Sequence, residues 1–218
     1  MRVVALLGLG MDARAVKQLS SLVNIEVHHQ IPQEPQESLR AYALRWGHHL
    51  QLQAGDVVIG MSFAGPMALE MTDHFKLAGC VLLSTFVTPE ELPKIHRRAL
   101  RLGLHHWIPY RLGWWLGKRW ARRKAILDPK NARAIAAIER KTDPSFYRWV
   151  IDALGKWEGT ESSYPQLRIH GLGDRVLPLD TSTTGVEFLE GNHFLLADSS
   201  ARRAMQLKID AFLGNLAS

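Results

Sequence analysis

The nine residues Val57-Val58-Ile59-Gly60-Met61-Ser62-Phe63-Ala64-Gly65 decide the fold of this 218-residue chain. An apolar run ends at Met61, and a helical pattern runs from Ala64 to about residue 75, which predicts a strand, a tight turn and a helix. Such a turn crowds the positions two residues before and after Ser62, where Gly60 and Ala64 supply small side chains. We therefore expect Ser62 to present its hydroxyl group at the turn, either as a nucleophile or as a helix-capping side chain.

Strands and helices alternate on both sides of this unit. Strands are predicted at residues 3–7, 24–28, 57–61, 79–84, 166–170 and 185–189, and helices at 12–22, 38–52, 64–75, 179–183 and 200–216. Three of the first four strands are almost entirely apolar, as expected for a parallel sheet that is covered on both faces. The pattern predicts an α/β fold with a doubly wound, mostly parallel sheet of about six strands.

The alternation stops between Thr88 and about Gly159, where only helical patterns appear. We expect residues 1–218 to form a single domain in which residues 89–159 are an inserted helical cap. Residues 94–124 contain ten Lys or Arg residues, no acidic residue and four of the seven Trp residues, so the rest of the chain has a net charge of −4. A basic character confined to one insert argues against a nucleic-acid partner.

This basic, Trp-rich segment has several interpretations. Three interpretations are functional: a roof over a pocket for an anionic substrate, a surface that contacts membranes, or a dimer surface. In the fourth, its Trp and Leu side chains pack on the sheet while its Lys and Arg side chains are solvated. We do not favour membrane contact, and the oligomeric state is left open.

A candidate acid and a candidate base follow the last two predicted strands. Asp174 lies in a loop with glycines on either side of Leu172, and His193 lies in the segment Gly191-Asn192-His193-Phe194. Ligands of open α/β sheets gather at the carboxyl ends of the strands, where Asp174 can accept a proton from Nδ1 of His193. The alternatives are an aspartate that caps the next turn or pairs with Arg175, and a structural histidine. His170 is interpreted either as a structural histidine or as part of a pocket lining.

The order and surroundings of these residues resemble the α/β-hydrolase superfamily over nearly the whole chain. The resemblance rests on four segments, which are Leu7 to Gly10, Gly60 to Gly65, Gly171 to Pro178 and Gly191 to Phe194. It implies the α/β-hydrolase fold with Ser62 as nucleophile, Asp174 as acid and His193 as base. The chain looks like a short, capped serine hydrolase, and Asp143 to Trp149 resembles the returning cap of uncharacterised bacterial members.

Two backbone groups are candidates for an oxyanion hole, which stabilises the negative oxygen of a reacting carbonyl. The turn leaves the Phe63 N–H free at a helix N-terminus, and the resemblance implies the Leu9 N–H as a second donor. The chain departs from the family at Leu7, where a histidine is usual, and at Ala64, where a glycine is usual.

These observations predict a serine hydrolase that cleaves an ester or thioester through an acyl-enzyme on Ser62, with a small acyl substrate, anionic if the basic cap attracts it. The alternatives are a slow-turnover ligand-binding or signalling protein of the same fold, and a peripheral membrane protein that uses the basic cap. The single Cys80 and the lack of a leader or membrane-spanning segment predict a cytoplasmic protein.

No cofactor and no metal are expected. The ten histidines include three adjacent pairs, whose members point apart, and no H-E-x-x-H motif accompanies them. Gly8-Leu9-Gly10 lacks the third glycine of a dinucleotide-binding fingerprint, since Ala13 stands there.

Overall fold

A computed structural model describes residues 1–8, 13–17, 19–92, 94–103, 115, 119, 143–160 and 163–217. Six parallel strands form one sheet in the order β2-β1-β3-β4-β5-β6. The strands are β1 (Val3–Leu6), β2 (Ile25–His28), β3 (Val57–Met61), β4 (Gly79–Leu83), β5 (Gln166–Gly171) and β6 (Val186–Leu189). The described helices are α1 (Ala13–Lys17), α2 (Leu39–His49), α3 (Ala64–Phe75), α4 (Lys94–Arg101), α5 (Pro144–Lys156) and α6 (Ser199–Ala217), with 3₁₀ turns at Pro89–Glu91 and Leu195–Ala197.

Alternate residues of each central strand face two separate hydrophobic cores. Val4 of β1 and Val58 of β3 pack on one face with α2, α3 and α5, whereas Val3 and Val57 pack on the other face with α1 and α6. All residues of β1, β3 and β4 are buried. This two-sided burial explains why these strands are continuous apolar runs, and it confirms the predicted doubly wound parallel sheet.

The carboxyl ends of the strands bring three loops to one edge of the sheet. The loop after β3 contains Ser62, the loop after β5 contains Asp174, and the loop after β6 contains His193. The segment between β4 and β5 contributes α4 and α5, and Gly155 of α5 lies so close to α4 that a Cβ there would be 3.0 Å from Cβ of Leu100. Most of the predicted cap, residues 104–142, lies outside the described residues apart from Trp115 and Arg119.

The predicted helix at residues 179–183 is wrong. Asp180 instead closes a local turn, since its carboxylate accepts the Ser182 N–H at 2.9 Å and its carbonyl accepts the Thr183 N–H at 2.9 Å. Aspartate commonly bonds the backbone two residues on in this way, which competes with helix formation.

The predicted helix at residues 12–22 is too long, because α1 ends at Lys17, while Asp12 lies outside the described residues. Ser20 and Ser21 bond the carboxylate of Asp210 in α6, so the chain turns away and Leu22 is 61% exposed instead of packing inward. The thiol of Cys80 is buried as expected, and burial raises its pKa to about 12. Within the described ranges, the helices are all too short or too polar to cross a membrane.

Candidate active site

The turn after β3 holds Ser62 in a left-handed backbone conformation with a φ of 54°. A Cβ on Gly60 would lie 2.7 Å from the carbonyl oxygen of Ala64 and 2.7 Å from Cβ of Ala68, so any larger residue would clash with α3. At Ala64, where a glycine is usual in the family, the methyl group is fully buried at the start of α3. Small side chains at these two positions therefore allow the sharp turn at Ser62, as the sequence analysis predicted.

Ser62, His193 and Asp174 form a continuous chain of hydrogen-bonding atoms. Oγ of Ser62 is 3.0 Å from Nε2 of His193, and Nδ1 of His193 is 2.7 Å from Oδ2 of Asp174. An ionised carboxylate only accepts, so Nδ1 of a neutral His193 carries the proton and Nε2 is left free to accept the proton of Ser62. The structure thus brings together all three side chains that the sequence analysis selected.

The loops that carry Asp174 and His193 are joined through their backbones. The N–H of Leu172 donates to the carbonyl of Leu189 at 2.9 Å, and the N–H of Gly173 donates to the carbonyl of Gly191 at 2.7 Å. A Cβ on Gly171 would lie 2.6 Å from the carbonyl oxygen of Asn192. The glycines beside Leu172 therefore allow a close approach of the two loops, which fixes the position of Asp174 relative to His193.

Asp174 makes two of the three contacts that the sequence left open, one with His193 and one with the following turn. Its Oδ1 accepts the N–H groups of Val176 at 2.9 Å and Leu177 at 2.8 Å, so it caps the following turn, while its Oδ2 faces His193. Burial alone would raise the pKa of this carboxyl. The positive charge that His193 carries when protonated and the hydrogen bonds from His170, His193 and Leu177 outweigh burial, and they hold the pKa of Asp174 below its ordinary value.

His170, which the sequence analysis interpreted as a structural histidine or as part of a pocket lining, is a buried neighbour of Asp174. Its Nε2 lies 2.9 Å from the carbonyl oxygen of Leu177 and 3.2 Å from Oδ2 of Asp174. Both partners are acceptors, so Nε2 carries a proton and donates. These contacts support the interpretation of His170 as a structural histidine. They also give the Asp174 carboxylate a further hydrogen-bond donor, the Nε2–H of His170.

Of the two predicted oxyanion donors, the structure describes Phe63 but not Leu9. Phe63 is the N-cap residue that directly precedes α3, and its N–H has no hydrogen-bond partner among the described parts of the chain. This N–H follows directly on Ser62 at the first turn of a helix, where backbone N–H groups favour negative charge.

The ring of Phe63 contacts the segment that returns from the predicted cap. Its centroid is 5.9 Å from that of Phe146 in α5, and the Phe146 centroid is 5.4 Å from that of Trp149, with the two rings tilted. Helix α5 therefore packs directly beside the turn that carries Ser62.

No protein-family model and no curated protein sequence matches the chain. Solved structures do resemble it. A thermophilic esterase from Thermogutta terrifontis has a TM-score of 0.71 at 15% identity, covering 100% of this chain and 91% of the esterase. The RedJ thioesterase from the prodiginine pathway of Streptomyces coelicolor has a TM-score of 0.64 at 15% identity over 97% and 90% of the two chains. MenH from S. aureus has a TM-score of 0.65 at 13% identity over 100% and 95%. At these identities the similarity establishes the fold.

Proposed function

We propose that this chain, which has the α/β-hydrolase fold, is a serine hydrolase that cleaves an ester or thioester through an acyl-enzyme on Ser62. The observation that carries the proposal is the unbroken path from Oγ of Ser62 through His193 to Oδ2 of Asp174, with contacts of 3.0 and 2.7 Å. A hydroxyl group needs such a base and such an orienting carboxylate to act as a nucleophile at neutral pH. The esterases and thioesterases among the similar structures support the same reaction class.

In the acylation half, Oγ of Ser62 bonds to the carbonyl carbon of the substrate while its proton passes to Nε2 of His193. The N–H of Phe63, and by family resemblance that of Leu9, donate to the resulting oxyanion. The tetrahedral intermediate collapses, the C–O or C–S bond breaks, and the departing alcohol or thiol takes the proton from His193.

In the deacylation half, His193 removes a proton from a water molecule whose oxygen attacks the acyl carbon. Collapse of the second intermediate breaks the bond to Oγ, returns the proton to Ser62 and releases a carboxylic acid. Asp174 does not change its protonation state in either half, because it holds Nδ1 of His193 and stabilises the imidazolium that forms.

The proposal includes a single domain over residues 1–218, with residues 89–159 as a helical cap over a pocket for a small acyl substrate. The contact between Phe63 and Phe146 supports this arrangement, because it places the returning helix α5 against the residue that follows Ser62. The proposal also includes a cytoplasmic location. It is supported by Cys80, the single cysteine of the chain, which is buried and free, because disulfides are typical of oxidising compartments.

A fluorophosphonate probe tests the nucleophile, and short p-nitrophenyl esters test turnover. We expect the native protein to be labelled and S62A to stay unlabelled, while S182A, which alters an exposed serine, is labelled like the wild type. Many turnovers per molecule support an enzyme, whereas saturable binding with one turnover or fewer supports the ligand-binding alternative. Equal labelling of wild type and S62A would show that the proposed nucleophile is wrong.

A further inference from the structure

The Phe63 N–H belongs to the same peptide unit as the carbonyl group of Ser62. That unit is planar and trans, so its C=O and N–H point in opposite directions. Whatever holds the Ser62 carbonyl therefore also sets the direction of the Phe63 N–H. This coupling matters because an oxyanion donor works only when it is already aimed at the position of the developing charge.

The buried hydroxyl group of Thr85 holds that carbonyl. Oγ1 of Thr85 donates to the Ser62 oxygen at 2.6 Å, and a 3.4 Å contact to the Phe86 carbonyl is much weaker. The N–H of Gly65 donates to the same Ser62 oxygen at 3.0 Å. Because Gly65 is part of the turn itself, Thr85 is the donor that ties the peptide unit to the neighbouring strand.

The backbone around Thr85 is arranged to make this contact. Thr85 follows β4, and the preceding Ser84 has a φ of 46°, a left-handed conformation that is uncommon for a residue with a side chain. The N–H of Ser84 donates to the carbonyl of Ile169 in β5 at 2.9 Å, which anchors the segment to the sheet. The Thr85 side chain also lies against Gly65, where any Cβ would collide with it.

We propose that Thr85 is a positioning residue for the oxyanion hole, which fixes the direction of the Phe63 N–H by holding the Ser62 carbonyl. This inference rests on the proposed hydrolase function. Thr85 is 3% exposed and acts through the peptide unit without touching the substrate.

Three substitutions separate the hydroxyl group from the rest of the side chain. T85V keeps the branched shape but places a methyl group against the Ser62 oxygen, T85S keeps the hydroxyl group, and T85C supplies only a weak donor of similar size. We expect T85V and T85C to lower kcat and kcat/KM together by on the order of tenfold to a hundredfold, with KM changed less than about twofold. Affinity for a trifluoromethyl ketone, which forms an oxyanion on Ser62, should fall by the same factor. T85S should stay within about threefold of the wild type.

The orientation of the peptide unit is also measurable without catalysis. In weakly aligned protein labelled with ¹⁵N-phenylalanine, the residual dipolar coupling of the Phe63 N–H bond reports its direction. This coupling should change in T85V and T85C and stay as in the wild type in T85S. The inference is overturned if T85V keeps both kcat and ketone affinity, if T85S loses as much as T85V, or if the Phe63 coupling is the same in all variants. A changed coupling in a protein without esterase activity would support the role of Thr85 in orienting the amide and contradict the proposed function alone.

Discussion

Replacing Asp174 by asparagine tests whether the carboxylate sets the protonation of His193. The N–H groups of Val176 and Leu177 hold one side-chain oxygen at 2.9 and 2.8 Å, so the amide oxygen of an asparagine would take that position. Its NH₂ group would then face Nδ1 of His193. The imidazole can accept there only by moving its own proton to Nε2, where it faces Ser62 as a donor and cannot act as a base.

The expected loss of activity in D174N is much larger than the loss of stability. A wrong imidazole tautomer in a relay of this type lowers kcat by about 10⁴-fold. One hydrogen bond to a charged group contributes about 1.5–3 kcal/mol to the free energy of unfolding. For a chain of this size, each kcal/mol lowers Tm by about 2–4 °C, so D174N should remain folded at room temperature.

The assay compares hydrolysis of p-nitrophenyl esters with thermal unfolding in the same samples. D180N is the matched control, because Asp180 makes a similar turn with Ser182 on the surface and an asparagine preserves that turn. D180N should retain wild-type kcat within about twofold. If a folded D174N retains more than about a tenth of the wild-type kcat, the assigned role of Asp174 is refuted.

Two further predictions concern stability. G60A should lower the free energy of unfolding by about 1–3 kcal/mol or more, because its Cβ would lie 2.7 Å from the Ala64 carbonyl oxygen. G214A, whose Cβ would lie in open space on α6, should raise it by about 0.5–1 kcal/mol. Urea denaturation measures both changes. Folding lowers the pKa of Asp174 below its ordinary value of 3.8. The difference in free energy of unfolding between the wild type and D174N should therefore be fully present above pH 3.8 and shrink as the pH falls below it. A difference that stays constant or grows on acidification, or a G60A protein as stable as G214A, would contradict these assignments.

The central sheet was predictable because its signals are local. The bounds of β3 at Val57–Met61 and α3 at Ala64–Phe75 agree with the sequence prediction, since a continuous apolar run and a crowded turn leave little choice. The meeting of three loops at one sheet edge was predictable for the same reason, because parallel strands end on the same side.

Contacts between distant residues were not predictable in this way. The exposure of Leu22 depends on Ser20 bonding to Asp210, 190 positions away, and no periodic pattern encodes that bond. The contact of Thr85 with the Ser62 carbonyl joins two strand ends through a single hydroxyl group. Threonine after an apolar strand is too common for the sequence alone to single it out.

The account depends most directly on an acyl group becoming attached to Ser62. Intact-mass measurement after brief incubation with a panel of esters and thioesters, followed by peptide mapping, detects that intermediate and identifies the acyl class at once. We predict a mass increase equal to the acyl group, mapped to Ser62 and absent from S62A. An adduct on another residue, or ester turnover by S62A at the wild-type rate, would contradict the proposed mechanism.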